Sequence, residues 1–115
     1  MQPEYTYAAL ITNVVDGDTV DAVVDLGFTV SVKVRFRLYG LDTPEMTSSD
    51  AIVREAAKAA KAFVANMVLN KQVSLKSYKT DKYGRWLAEI FVDGVNINQL
   101  LIEHNYAVPY FGGTK

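Results

Sequence analysis

Phe28-Thr29-Val30-Ser31-Val32-Lys33-Val34-Arg35-Phe36-Arg37-Leu38 alternates without interruption. Phe28, Val30, Val32, Val34, Phe36 and Leu38 share one face, and Thr29, Ser31, Lys33, Arg35 and Arg37 share the other. A period of two over such a length predicts a strand with one side on a core and the other toward water. Upstream, Tyr5 to Val15 is rich in Tyr, Ile, Thr and Val and reads as a first strand. Asp16-Gly17 marks a turn, Val20 to Leu26 reads as a second strand, and Gly27 ends it. The three together predict an antiparallel meander.

Downstream, Ser48-Ser49-Asp50 offers N-caps for a helix. Val53, Ala56, Ala57, Ala60, Phe63, Val64 and Met67 recur at helical spacing as its core side, with Arg54, Glu55, Lys58 and Lys61 outward, and the helix is expected to stop near Asn70. Val73 to Tyr78 and Trp86 to Val92 predict two more strands, joined by the polar "KTDKYGR". After the Asp93-Gly94 turn, Ile97, Leu100, Leu101 and His104 predict a short second helix, with His104 packed or capping and Trp86 at the core or the barrel edge. Three strands, a helix, two strands and a helix is the order of a five-stranded Greek-key OB barrel. The expected fold class is therefore mainly β with helices (α+β), in one domain spanning 1–115.

Composition narrows the chemistry. A chain of 115 residues that is 50% hydrophobic can bury one core. The absence of cysteine excludes disulfides, thiolate metal sites and a cysteine nucleophile. Any metal must rest on oxygen or on His104, the sole histidine. No apolar run approaches the roughly 18 residues of a membrane span, and no membrane partner is expected. The N-terminus lacks a basic head followed by an apolar stretch, so it does not read as a signal peptide. A cytoplasmic or phage-encoded protein is expected, or a secreted one if a leader has been removed.

The net charge of −1 argues against a uniformly basic nucleic-acid coat. Charge is nonetheless blocked along the chain. Asp16, Asp18, Asp21 and Asp25 precede Lys33, Arg35 and Arg37, and Lys71, Lys76, Lys79, Lys82 and Arg85 follow later.

The alternating strand runs into "RLYGLDTPE", Arg37 to Glu45, which holds a guanidinium and two carboxylates. In a meander the start of the second strand lies beside the end of the third, so Asp18 and Asp42 are expected to meet. Carboxylates with a nearby backbone carbonyl suit a hard cation such as Ca²⁺ or Mg²⁺. Arg37 at that end can grip a phosphate through two parallel hydrogen bonds, and Arg85 can supply a second fork. Each residue alone has a plainer reading: a turn aspartate as a cap, Arg35 and Arg37 as a solvated face, "DKYGR" as a hairpin turn.

Asp16-Gly17-Asp18-Thr19-Val20, "RLYGLDTPE", "TDKYGRWLAEI" and "DGVNINQLL" together resemble the staphylococcal nuclease (thermonuclease-like) family, in its order and nearly its spacing, over Val14 to Tyr110. The resemblance implies an OB-fold barrel with helices that cleaves DNA and RNA using Ca²⁺. It implies metal ligation by Asp18, Asp42 and the carbonyl of Thr43. Glu45 would then contact metal-bound water as general base, with Arg37 and Arg85 on the scissile phosphate. Lys82 and Tyr83 would lie near the nucleotide's terminal phosphate, and Asp16 at the edge of the metal site. Denatured or single-stranded substrates and a monomer are expected.

Typical members continue into a third helix, whereas this sequence ends in "YFGGTK". A compact member lacking that helix is expected rather than a fragment. Tyr110 or Phe111 is then the candidate for stacking on a nucleobase, or for plugging the barrel end. The rival reading is a catalytically silent OB module that binds nucleic acid or protein. It would favour loss of carboxylates or arginines, yet Asp18, Arg37, Asp42, Glu45 and Arg85 are all present.

Overall fold

The computed structural model describes residues 5–78, 80 and 83–110. β1 (Tyr5–Asp16), β2 (Thr19–Gly27) and β3 (Val30–Leu38) form the expected antiparallel meander. On its other side β1 pairs antiparallel with β5 (Gln72–Tyr78), and β5 with β6 (Trp86–Val92). The circle closes where Phe36–Leu38 of β3 runs parallel to Trp86–Ala88 of β6. The result is a closed five-stranded barrel with two helices, the expected OB-like α+β fold. Short strands complete it: β4 (Leu41–Asp42) pairs with β8 (Val108–Pro109), and β7 (Val95–Asn96) flanks β6.

α1 (Ala51–Val68) starts where Asp50 accepts the Ile52 amide at 2.8 Å, an N-cap that satisfies one of the helix's free donors. It buries Ala57, Ala60, Val64 and Val68, and the two alanines let the helix approach the barrel closely. Ala56, expected on the core side, is exposed, because the buried stripe is narrower than the apolar spacing suggests. Asn70 ends the segment at φ 59°, its amide donating to the Ile11 carbonyl at 2.8 Å. α2 (Ile97–Glu103) is capped by Asn96, and His104 follows as its C-cap, exposed, with its ring 5.5 Å from that of Phe63. Ile11, Leu38, Leu41, Leu75, Ile90, Ile97 and Leu101 are fully buried between barrel and helices. Each such side chain contributes on the order of 1.5–3 kcal/mol of burial. No helix among the described residues is long and apolar enough to cross a membrane.

The alternating stretch itself needs correction at its start. Phe28 and Thr29 belong to the turn, at φ 56° and 63°, and β3 begins at Val30. Two adjacent left-handed residues make the tight hairpin whose twist matches the flanking strands. Phe28 is 98% exposed, Val30 50% and Val32 40%, whereas Phe36 and Leu38 are buried. The hairpin runs past the point where β6 joins, so Val30 and Val32 near its tip are left largely uncovered, whereas Val34 packs against the core. Trp86, at the closing point, is 49% exposed and sits at the barrel edge.

Candidate active site

The site forms where the barrel closes. Arg37 lies on the polar face of β3, yet it is only 8% exposed, because β4 and the first turn fold over it. Its Nη1 donates to the Leu41 carbonyl at 3.1 Å and its Nη2 to Asp42 Oδ1 at 3.1 Å. The same Nη2 stands 3.8 Å from Asp18 Oδ2. The two aspartates expected to meet are therefore joined through one guanidinium.

The turn that carries Asp18 is held from several sides. Asp16 Oδ1 accepts the Asp18 amide at 3.1 Å, and the Thr19 hydroxyl donates to Asp18 Oδ1 at 3.0 Å. The Leu38 amide donates to the Asp18 carbonyl at 2.8 Å, which fixes the turn against the end of β3. Gly17 between them has no room for a side chain. A Cβ there would stand 2.8 Å from the Ala60 Cβ of α1 and 3.1 Å from Thr43 Cγ2.

These contacts set the charges. Asp16 is pushed up to about 6, first by burial and then by the hydrogen bond and charge of Asp18. Burial acts on Asp18 in the same direction. The Asp16 hydrogen bond, the Arg37 charge, the Thr19 hydroxyl and the Thr43 backbone amide outweigh it, so Asp18 lies below the ordinary carboxylate range. Asp18 is thus the ionised member of the pair, and Asp16 the one that holds a proton into mildly acidic solution.

A cleft of about 610 Å³ opens over this floor. Glu45, exposed, lines it together with Thr43, Tyr83, Arg85 and Tyr110. The Arg85 guanidinium lies 5.2 Å from the Tyr83 ring centroid. Tyr110 is tied by its amide to the Gly40 carbonyl at 2.9 Å, and the Arg37 guanidinium lies 5.6 Å from its ring. Every expected site residue lines this one cleft except Lys82, which lies outside the described residues, as does Phe111.

One supporting residue was missed from sequence. Asn98 is 4% exposed, and its Nδ2 donates to the carbonyls of Tyr39 and Ala88, both at 3.0 Å. Its Oδ1 accepts the Ile90 amide at 3.2 Å. It thereby pins α2 and β6 to the bend that delivers Gly40, Leu41 and Asp42. The available signal was a polar residue between the apolar positions Ile97 and Leu100.

A family model described as staphylococcal nuclease homologue matches residues 35–115. The chain belongs to the staphylococcal nuclease family. It is 33% identical over 104 residues to a thermonuclease of Staphylococcus intermedius, covering 89% of this chain and 59% of the relative. It is 34% identical over 106 residues to an uncharacterized protein of Bacillus anthracis, covering 90% of this chain and 47% of the relative. A relative named uncharacterized endonuclease, from Escherichia coli O157:H7, is 29% identical over 101 residues, covering 87% and 59%. The chain thus spans about half to three-fifths of the length of these curated relatives.

As a staphylococcal nuclease homologue, the chain invites a test of its donors against a cation. Among the described residues no three His, Asp or Glu side chains converge as a ready metal cluster. What converges is Asp18 and Asp42 beside Thr43, with Arg37 now neutralising both carboxylates. Two carboxylates are hard oxygen donors, of the kind that suit a divalent cation that keeps several waters.

Proposed function

We propose that this protein is a calcium-dependent endonuclease that hydrolyses phosphodiester bonds in DNA and RNA, with denatured or single-stranded chains preferred. The observation that carries the reading is the Arg37 bridge between Asp18 and Asp42 on the floor of a cleft that also holds Glu45 and Arg85.

Asp18, Asp42 and the Thr43 carbonyl would hold Ca²⁺. The bound ion would supply Lewis acidity toward the phosphate and toward a bound water. Glu45, exposed at the rim, orients the attacking water and takes its proton. Arg37 is pre-aimed by Asp42 and the Leu41 carbonyl, so little reorganisation is needed for it to meet charge growing on the phosphate oxygens. Arg85 adds a second guanidinium to the same cleft, and Lys82 and Tyr83 are assigned to the terminal phosphate. Tyr110 offers a ring on which any base can stack, which suits a nuclease indifferent to sequence.

The test is digestion of denatured DNA and RNA with Ca²⁺, with Mg²⁺ and with chelator. Cleavage that needs Ca²⁺ and stops with chelator is expected. Binding without cleavage under every metal condition would overturn the nuclease reading in favour of a silent OB module.

A further inference from the structure

β3 is flanked on both sides only at its end. Phe36–Leu38 lies between β2 and β6, whereas among the described residues Val30–Arg35 pairs with β2 alone. The free side of such a strand presents a row of backbone donors and acceptors, a template for one more strand. The segment also exposes apolar surface, with Val30 at 50%, Val32 at 40% and Phe28 at 98%.

We propose that this edge joins two copies of the chain as an antiparallel β3–β3 pair centred on Val32. The inference stands apart from the nuclease reading and departs from the monomer expected from sequence. A second copy fits for three reasons. With the two-fold axis at Val32, that residue faces the partner's Val32, and Val30 faces the partner's Val34. The apolar side of the joined sheet is then valine throughout.

On the other side, Ser31 faces the partner's Lys33. Asp25 already stands opposite Ser31 on β2. Asp25, Ser31 and the partner's Lys33 therefore lie in one row across three strands. Neighbouring strands are about 4.8 Å apart, so an extended lysine reaches the aspartate over the small serine. Lys33 forms no ion pair among the described residues, and Asp25 uses Oδ1 for the Gly27 amide at 2.8 Å. The symmetry makes two such pairs. Finally, the partner's Phe28, past the end of its strand, arrives beside the exposed Trp86.

Two neighbouring registers are worse. Centring the pair on Lys33 places like charges directly opposite. A slip of one residue sets valines against lysine and arginine. Nucleic acid is a poorer occupant, because Asp21 and Asp25 balance Lys33 and Arg35 on the polar face, and Arg35 Nε is already 2.7 Å from Asp21. None of Phe28 to Arg35 lines the catalytic cleft.

The test is sedimentation equilibrium of the full chain over a wide concentration range. A reversible monomer–dimer equilibrium is expected. Val32→Lys sets two lysines face to face at the axis and should raise the dimer dissociation constant at least ~10-fold, as should Lys33→Asp. Asp25→Lys combined with Lys33→Asp exchanges the charges and should restore much of the lost affinity. Circular dichroism and the digestion assay confirm that each variant is folded, since none of these residues touches the cleft. A wild-type chain that stays monomeric to about 1 mM, where binding is worth only about 4 kcal/mol, overturns the proposal. So does a dimer unmoved by Val32→Lys in a folded variant, or a wild-type species larger than a dimer.

Discussion

Phe36, Arg37 and Leu38 are 3%, 8% and 0% exposed, while Val30 and Val32, on the same strand and in the same alternation, are 50% and 40% exposed. The two halves of β3 differ in what surrounds them. The last three residues are gripped between β2 and β6 and covered by β4 and the Asp16–Asp18 turn. The earlier residues project on a hairpin beyond the closing strand. Even the arginines divide this way: Arg37 is buried with several partners, and Arg35 lies in solvent on Asp21. Alternation assigns a residue to a face, but barrel closure decides whether that face is covered.

Substitutions can test this contrast. The largest expected effect is on catalysis. Arg37→Ala should lower the turnover of denatured DNA with Ca²⁺ by on the order of 10²–10³, the cost of removing one preorganised donor. Arg35→Ala, two residues away, should leave turnover unchanged. Equal losses in a side-by-side rate assay would erase the distinction between the halves.

The next effect is on stability. Leu38→Ala leaves a cavity in the closed half and should cost about 2–5 kcal/mol in urea denaturation. Val32→Ala, measured at low protein concentration, should cost less than about 1 kcal/mol. A Val32→Ala penalty as large as that of Leu38→Ala would mean that the hairpin is covered in solution.

A smaller effect sharpens the picture of the closed end. Gly17→Ala forces a methyl against Ala60 and Thr43 and should cost about 1–3 kcal/mol, as overpacking does. It should also reduce activity, because the turn carries Asp18. Ala60→Gly in the same chain should recover part of the loss beyond its own helix penalty of about 1 kcal/mol. Strict additivity in that double-mutant cycle would show that the turn and α1 do not press on each other.

Much of the fold was legible because its signals are local. The period of Val30–Leu38, the Asp50 cap, the Asp16-Gly17 turn and the Asp93-Gly94 turn each report on a few neighbouring residues. What failed depended on neighbours distant in sequence. Phe28 looked like a core position until the hairpin turn claimed it, and Ala56 until the angle of α1 on the barrel turned it outward. Asn98 gave little local signal, since its partners, Tyr39 and Ala88, lie 59 and 10 residues away.

The site divides along the same line. Composition and motif order placed an arginine, two aspartates and a glutamate near one strand end and excluded thiol chemistry. The tertiary structure decided their states. Burial of the Asp16-Gly17-Asp18 turn against α1 pushes Asp16 up to about 6, while Arg37 and the Thr43 amide hold Asp18 down. Those shifts depend on desolvation and on charges brought within a few ångströms by barrel closure. By itself the sequence determined which donors exist and on which strand ends they sit. The closing of β3 on β6 decided that Arg37 is buried between Asp18 and Asp42, and that the other half of the same strand, among the described residues, pairs on one side only.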